Sequence, residues 1–265
     1  MSASIRLSRS LSLLRRAFEA IAAAVLALLS RAELDPVHNT PSPSGDPLEL
    51  LRVEYPNLAE LVNGQRVLDF GSGYGDQVAA LVAYGCKATG LDTNPRANAI
   101  ARARHGDIAP FVDRLEEGQQ FDVVLSQDAF EHYPDPKAVL DAMLKAVRPG
   151  GAILITCSPL WFSPRGSHMH HFTSVPWVNL IFPEPAVMAV RSFYCRDGAT
   201  TYEEVESGLN RMSLAKFERL TDRPDVTVES RRYTAVKGLN ALTRIPVIRE
   251  LLTNRVTVVI RKGDI

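Results

Sequence analysis

Residues 67–77 have the sequence VLDFGSGYGDQ, in which three glycines stand at alternate positions directly after a short apolar run. Glycine is unfavourable inside strands and helices, but it adopts positive φ and lets a ligand approach the main chain closely. A buried strand followed by a glycine-rich turn and a helix is typical of the ligand-binding edge of an open α/β sheet. The stretch therefore predicts a ligand site at the end of the first strand.

The spacing of the glycines and one acidic residue indicate the kind of ligand. A dinucleotide site has G-x-G-x-x-G spacing and places a pyrophosphate on the helix N-terminus, whereas the spacing here is G-x-G-x-G. Asp69 precedes the loop by two residues. Its carboxylate would repel a pyrophosphate but would hold an ammonium group. The loop therefore favours a zwitterionic nucleoside over a dinucleotide.

Asp92 ends the second predicted strand, within TGLDTNP, and lies 17 residues beyond Gly75. This separation is close to the one at which an acidic residue reaches the ribose hydroxyls in nucleotide-binding sheets. A carboxylate accepts hydrogen bonds from both hydroxyls of a diol, so it selects ribose over phosphate. The alternative is that Asp92 only caps the next helix. After this glycine loop, the spacing favours ribose binding.

Composition and charge exclude several classes of function. The chain has 265 residues, 46% of them apolar, and its 30 basic residues balance 30 acidic ones, so nothing in the net charge indicates a nucleic-acid partner. Cys86, Cys157 and Cys195 lie far apart and show no CxxC spacing. They predict reduced thiols in a cytoplasmic compartment, with neither a disulfide framework nor a zinc site built from cysteine.

Strands and helices alternate from residue 65 onward, the pattern of a mostly parallel sheet with helices on both faces. The predicted strands cover 66–70, 87–91, 108–112, 121–126, 152–157, 225–233 and 255–261, and the predicted helices cover 76–84, 94–104, 136–147, 214–220 and 245–252. A further helical stretch at 48–61 is interrupted by Pro56. The motif RPGG at 148–151 is expected to end the third helix and turn the chain into the next strand.

Two segments stand apart from this alternation. Residues 1–47 are expected to form an N-terminal helix and a proline-rich linker, ahead of a domain at 48–265. The helix has three interpretations: it docks on the domain, lies on a membrane surface or belongs to a targeting segment. A Pro/Trp/His-rich segment at about 158–190 argues against a regular helix or central strand, so we expect a lid. Its aromatic residues either line an acceptor pocket or form the core of the lid. These aromatic residues are Trp161, Phe162, Phe172 and Trp177.

Four motifs occur in a characteristic order: VLDFGSGYG, GLDTNP, FDVVLSQDAFEHYPDP and LKAVRPGG. Together they resemble the class I S-adenosylmethionine-dependent methyltransferases of the type 11 group, over about residues 65–157. The resemblance implies a Rossmann-like, seven-stranded, mostly parallel sheet whose last two strands form an antiparallel hairpin. It also implies S-adenosylmethionine as the cofactor.

The same resemblance implies where the cofactor would bind. The glycine loop would hold its methionine part, Asp92 its ribose, and an acid after the third strand its adenine amino group. For the last role Asp113 is favoured over Asp107. The expected cofactor-binding residues are Asp69, Gly71, Ser72, Gly73, Gly75, Asp92, Thr93, Asp113 and Gln127.

Catalysis is expected at the end of the fourth strand. A hydroxyl acceptor needs a general base, and histidine suits that role best near neutral pH. His132 in EHYPDP and His168 in SHMHHF are the candidates. The three histidines of HMHH could also bind a divalent ion, but histidines at this spacing on an irregular loop are weak evidence, so no metal is predicted.

These observations predict an enzyme that transfers a methyl group from S-adenosylmethionine to a glycan or small-molecule acceptor at oxygen. The glycan is favoured because the lid and the C-terminal segment are similar to those of bacterial relatives encoded with glycan biosynthesis genes. The alternatives are a quinone or lipid methyltransferase at a membrane surface, reached through the N-terminal helix, and a non-catalytic S-adenosylmethionine-binding regulator. An NAD-dependent oxidoreductase is disfavoured by the glycine spacing and by Asp69.

Overall fold

The computed structural model describes residues 2–30, 45–205 and 208–263. Within them, seven strands form one sheet: β1 (Arg66–Phe70), β2 (Lys87–Leu91), β3 (Phe111–Val112), β4 (Phe121–Gln127), β5 (Val147–Cys157), β6 (Val226–Ala235) and β7 (Thr253–Lys262). Their order is β3-β2-β1-β4-β5-β7-β6. The first five strands are parallel, and β7 pairs antiparallel with both β5 and β6. The predicted fold is confirmed, including the antiparallel C-terminal pair.

The sheet is covered on both faces, as a mostly parallel sheet requires. The helices of the described residues are α1 (Ser2–Leu29), α2 (Glu49–Glu54), α3 (Leu58–Val62), α4 (Asp76–Ala83), α5 (Pro95–His105), α6 (Pro136–Ala146), α7 (Val178–Ile181), α8 (Glu184–Arg191), α9 (Leu214–Thr221) and α10 (Pro246–Leu252). Adjacent strand residues point to opposite cores: Val67 packs with α4 and α5, and Leu68 packs with α6 and α9. This alternation is the period of two that a strand imposes.

Two sequence expectations about strands need correction. The third strand is only Phe111–Val112, because residues 106–108 turn after α5 and leave little chain to pair with β2. The RPGG motif lies inside β5 and does not form a separate turn. Pairing with β4 shifts register between the pair Phe121–Val147 and the pair Val123–Ala152. The exposed residues 148–150 therefore bulge out of the ladder, a conformation that Gly150 supports with a φ of +68°.

The lid segment also differs from its expectation, because it contains short helices. A 3-10 turn at Met169–His171 is followed by α7, and α8 begins at Glu184 with Pro185 in its first turn. A first-turn proline loses no helical hydrogen bond, so it starts a helix without disrupting it. Trp161 and Phe172 are buried in a core of the lid's own, which favours the packing interpretation of these aromatic residues over an acceptor pocket.

The N-terminal segment contributes to this lid core. Leu26 of α1 is fully buried there and α1 packs against α8, so the C-terminal part of α1 docks on the lid. Pro56 separates α2 from α3, as predicted. Most of the proline-rich linker expected before residue 48 lies outside the described residues. No helix in the described part of the chain is both long and apolar enough to cross a membrane.

Candidate functional site

The glycine loop follows β1 and has the backbone that its sequence predicts. Gly71, Gly73 and Gly75 adopt φ values of +87°, +53° and +85°. The backbone N–H groups of Gly71 and Ser72 donate to the carbonyl of Leu91 at 2.7 and 3.0 Å, which ties the loop to the end of β2. These conformations are strained for residues other than glycine, so the glycines set the shape of the loop.

Two of the glycines are also required by close packing. A Cβ at Gly71 would lie 2.6 Å from the hydroxyl of Tyr133, and a Cβ at Gly75 would lie 2.6 Å from the ring of Phe111. A Cβ at Gly73 would meet nothing within 4 Å. The middle of the loop is therefore open to a ligand, whereas its two ends pack closely against Tyr133 and Phe111.

Asp92 holds this loop in place from the end of β2. Its Oδ2 accepts from the backbone N–H of Gly73 and its Oδ1 accepts from that of Asn94, both at 2.8 Å. The cap of α5 is Asn94, whose side chain accepts from two backbone N–H groups of the first turn. The alternative role of Asp92 as the helix cap is therefore wrong. Thr93 lies between these residues and is exposed.

Asp69 is the buried acid of the site. It is 2% exposed, and Nε2 of Gln77 donates to its Oδ2 at 3.1 Å. Burial raises the pKa of Asp69 to about 7, and the charge of Asp92 adds to the rise while the Gln77 hydrogen bond opposes it. No cation is paired with Asp69 among the described residues. The carboxylate is therefore ready to be stabilised by an ammonium group.

These residues fit the expected cofactor. Ser72 Oγ and Gln127 Oε1 are buried and lack a hydrogen-bond partner within the described chain, as expected of groups that face a polar ligand. Asp113 directly follows β3 and is exposed, at the strand edge that also carries Asp92. Asp107 lies in the turn ahead of β3, which supports the choice of Asp113. The structure thus brings the predicted cofactor-binding residues to one edge of the sheet.

The segment after β4 lies against this loop and carries the candidate catalytic residues. The Tyr133 hydroxyl donates to the carbonyl of Phe70 at 2.9 Å. His132 and His168 have ring centroids 5.0 Å apart in an edge-to-face arrangement, although 36 residues separate them in the chain. His168 adopts a φ of +58°, which a residue with a side chain rarely does. The structure therefore brings the two predicted catalytic histidines together, and His132 directly precedes the Tyr133 that contacts the glycine loop.

One hydrogen bond fixes the tautomer of His132. Its Nδ1 lies 2.7 Å from the carbonyl oxygen of Gly208, which can only accept, so Nδ1 carries the proton. Nε2 is then the basic nitrogen of the neutral ring, and it lies 3.9 Å from Oε1 of Glu131. Burial lowers the pKa of His132, although the Gly208 carbonyl and Asp128 oppose this.

Glu131 completes this cluster and was not among the predicted site residues. It is 3% exposed, and burial raises its pKa to about 8, with a further contribution from the charge of Asp128. One ligand atom each from Glu131, His132 and His168 lie within 4.8 Å of one another, so these three residues could hold a divalent ion. Of the HMHH histidines, only His168 belongs to this trio. The expectation of no metal stays a prediction.

A charge network centred on the buried Glu54 lies next to the same edge of the sheet. Glu54 of α2 accepts from Arg232, Arg255 and Thr257, and Arg255 also pairs with Asp128 at 3.2 Å. Its members come from α2, β6, β7 and the residue that follows β4, and no local spacing connects them. The EHYPDP motif was the one available signal for this region, since it marks the segment that contains Glu131 and follows Asp128.

A cleft of about 430 Å³ opens beside the end of β4. It is lined by Asp46, Pro47, Glu49, Leu50, Val53 and Gln127, so polar and charged groups make up half of its wall. A smaller cavity of about 130 Å³ lies at the opposite edge, near Gln65 and Asp122 at the starts of β1 and β4. The larger cleft therefore shares its edge with the glycine loop.

Comparisons with known proteins agree with this geometry. Residues 14–179 match the family model described as a methyltransferase domain. A ubiquinone biosynthesis O-methyltransferase of Hydrogenovibrio crunogenus is 27% identical over 203 residues, 66% of this chain and 78% of that protein. An uncharacterised methyltransferase of Mycobacterium leprae is 26% identical over 210 residues, 75% of this chain and 72% of that protein.

Solved structures share the fold. The S-adenosylmethionine-dependent methyltransferase of Mesorhizobium loti superposes with a TM-score of 0.53 at 17% identity, covering 83% of this chain and 99% of that one. The family match spans more than half of this chain, and the sheet order and glycine loop agree with it. The chain therefore belongs to the methyltransferase-domain family and is a class I S-adenosylmethionine-dependent methyltransferase.

Proposed function

We propose that this enzyme methylates a hydroxyl oxygen, with His132 as the general base. The observation that carries the proposal is the fixed tautomer of His132: Gly208 holds the proton on Nδ1, so Nε2 is free to accept another. His168 lies within contact distance and would position the acceptor. The segment after β4 packs on the glycine loop, so a base here would act close to the reactive methyl group.

The protein's part in the reaction is alignment and proton removal. Bound S-adenosylmethionine would supply an electrophilic methyl group on a sulfonium. An acceptor oxygen would attack it in line, and the carbon–sulfur bond would break to leave a neutral thioether. As the oxygen–carbon bond forms, the hydroxyl proton would pass to Nε2 of His132. The carboxyl of Glu131 lies 3.9 Å from Nε2, and the imidazolium that results would favour the ionised form of this carboxyl.

Burial also tunes His132 for this role. Because its pKa is lowered, the ring is neutral and able to accept a proton throughout the neutral pH range. The proposal predicts a rate that falls only when the pH drops below the usual histidine range. Loss of activity on the acid side of that range would be due to protonation of His132.

For the acceptor we favour a hydroxylated glycan or small molecule. The cleft beside Gln127 is lined by the carboxylates of Asp46 and Glu49 as well as by apolar groups, a mixture that suits a polyhydroxylated ligand. Trp161 and Phe172 of the lid are buried in its core, so they give this assignment no support.

The second candidate acceptor is a quinone or another lipid. It is supported by the relatives named ubiquinone biosynthesis O-methyltransferase, which match 66% of this chain at 27% identity. That identity is low enough for the acceptor to have changed while the cofactor site was kept, because the two sites use different residues.

Two substitutions test the base. His132→Asn keeps an N–H at the position of Nδ1, so it preserves the bond to Gly208 and removes only Nε2. We expect kcat to fall about 10²- to 10⁴-fold while the affinity for S-adenosylhomocysteine changes little. His170→Asn, on the exposed side of the same turn, is the matched control and should leave kcat unchanged. Full activity of His132→Asn would refute the assignment.

The acceptor is identified with a labelled methyl donor. A lysate separated into glycan, lipid and small-molecule pools is incubated with wild-type enzyme and with His132→Asn. Label that enters the glycan or small-molecule pool as an alkali-stable ether supports the first candidate, and label in the lipid pool supports the second. Label attached to nitrogen in every pool would contradict O-methylation.

A further inference from the structure

The N-terminal helix α1 has two differently packed halves. Ala22 and Leu26 are buried against the lid, and this part of α1 contacts α8. Every side chain from Leu11 to Phe18 is exposed. Residues 11–18 of α1 therefore do not pack on the body of the protein, and their exposed surface is largely apolar.

Six exposed apolar residues of α1 follow a regular spacing. Their separations alternate between three and four residues, and they are Leu11, Leu14, Phe18, Ile21, Val25 and Leu28. Their side chains are between 44% exposed, at Val25, and 88% exposed, at Leu28, whereas Leu13, Leu26 and Leu29 lie outside this spacing. A repeat of 3.5 residues stays on one stripe only when two helices wind around each other, so it is the pattern of a coiled-coil seam.

This seam and the docked face are separate sides of the helix. Val25 of the seam and Leu26 of the docked face are adjacent residues, and adjacent residues point about 100° apart around a helix. The seam spans residues 11–28, about 27 Å at 1.5 Å per residue. A partner helix could therefore pair with the whole seam while α1 remains docked on α8.

We propose that the seam pairs with α1 of a second copy of this chain. On one flank of the seam the residues are small, since Ala17 and Ala24 lie there and would allow two helices to approach closely. The seam is uncharged and self-complementary, as a two-fold symmetric interface requires.

The positions of the arginines favour this occupant over a bilayer. Arg16 falls at the position opposite the seam, and Arg15, which borders the seam, is paired with Glu19 of its own helix at 2.8 Å. A helix lying on an anionic membrane gains most from arginines at the borders of its apolar face, where they reach the headgroups. In a coiled coil the outer positions are the ordinary place for charge.

Pairing would also affect the lid. Because α1 packs against α8, a second copy that holds α1 would hold the segment that carries His168. Pairing through α1 would be the same whichever acceptor the enzyme methylates.

The test compares two adjacent leucines of equal exposure. Leu14 lies in the seam and is 68% exposed, whereas Leu13 lies outside it and is 66% exposed. Wild type, Leu14→Glu and Leu13→Glu are studied by analytical ultracentrifugation over about 1 to 100 µM. We expect wild type and Leu13→Glu to have twice the 29.2 kDa of one chain. Leu14→Glu should dissociate at least about tenfold more readily, because it would bury a charge.

Two results would overturn the proposal: a wild type that is monomeric over this range, or equal dissociation constants for the two variants. A monomeric wild type that floats with phosphatidylglycerol vesicles, while Leu14→Glu does not, would identify a bilayer as the occupant. Unchanged thermal unfolding and binding of S-adenosylhomocysteine show that each variant is folded.

Discussion

Asp69→Asn replaces the buried acid just before the glycine loop with a side chain that cannot ionise. Comparing this variant with the wild type therefore isolates the effect of the ionised carboxylate. In the free protein burial raises the pKa of Asp69 to about 7 from an ordinary value of 3.8. The cost of ionising this carboxyl in the fold is then about 4 kcal/mol. If the ammonium group of the cofactor's methionine part binds here, it binds the ionised form of the Asp69 carboxyl.

The direction of the pH dependence follows from these values. The folded carboxyl keeps its proton up to about pH 7 while the unfolded one loses it near pH 3.8, so the free protein loses stability as the pH rises between the two values. Ligand affinity changes in the opposite direction. The ionised fraction rises from about one tenth at pH 6 to about nine tenths at pH 8, so affinity should rise about tenfold.

The variant removes both effects. Asp69→Asn cannot ionise, so its stability should decline less than that of the wild type over this range, by up to about 4 kcal/mol. Glu131, whose pKa is also raised, contributes a decline to both proteins. At pH 8 it should bind S-adenosylhomocysteine about 10- to 150-fold more weakly, because a hydrogen bond to a charged group is worth about 1.5 to 3 kcal/mol. Asp122→Asn, at the opposite edge of the sheet, is the matched control and should bind as tightly as the wild type.

Isothermal titration calorimetry from pH 6 to pH 8 measures these affinities, and urea unfolding measures the stabilities. Titration of the ligand itself appears equally in wild type and variant, so the ratio of the two affinities isolates Asp69. Two results would refute the reasoning: a ratio that is constant across this pH range, or a variant that binds within twofold of the wild type at pH 8.

Three further substitutions test the rest of the edge. Asp92→Ala should weaken S-adenosylhomocysteine binding by about ten- to a hundredfold in calorimetry, because the diol and a loop N–H both lose a charged acceptor; unchanged affinity would contradict this role. Gly71→Ala should lower the free energy of unfolding by about 1 to 3 kcal/mol more than Gly73→Ala in urea, since only the former Cβ meets the Tyr133 hydroxyl. Glu54→Gln should lower the free energy of unfolding by about 3 kcal/mol at neutral pH. The pKa of Glu54 is lowered, so this difference should shrink as the pH falls below 4.5; a loss that is equal at every pH would count against the ion network.

Much of the fold follows from local signals. Residues 66–70 form β1 as predicted, because a short apolar run between polar residues suits a strand buried on both faces. The three glycines set a left-handed loop whatever packs around it. The register shift in β5 was missed, since RPGG ends a helix in most contexts and here bulges only because Ala152 must align with Val123.

The site was predicted unevenly for the same reason. Asp92 was assigned from its distance to the glycine loop, but the loop amide that it accepts from became visible only once β1 and β2 were paired. Glu131 has no periodic or spacing signal of its own, and what marks it is burial with no lysine or arginine paired to it in the described part of the chain. Burial depends on every element around a residue, so sequence spacing cannot supply it.

By itself, the sequence determined the order of the elements, the shape of the glycine loop and the class of cofactor. These depend on backbone freedom and on short spacings that each residue carries with it. Only the tertiary structure decided that His168 meets His132, that Gly208 sets the tautomer of that ring, and that Trp161 and Phe172 of the lid are buried in its core. Such contacts join residues far apart in the chain, and their geometry exists only after the lid has packed on the sheet.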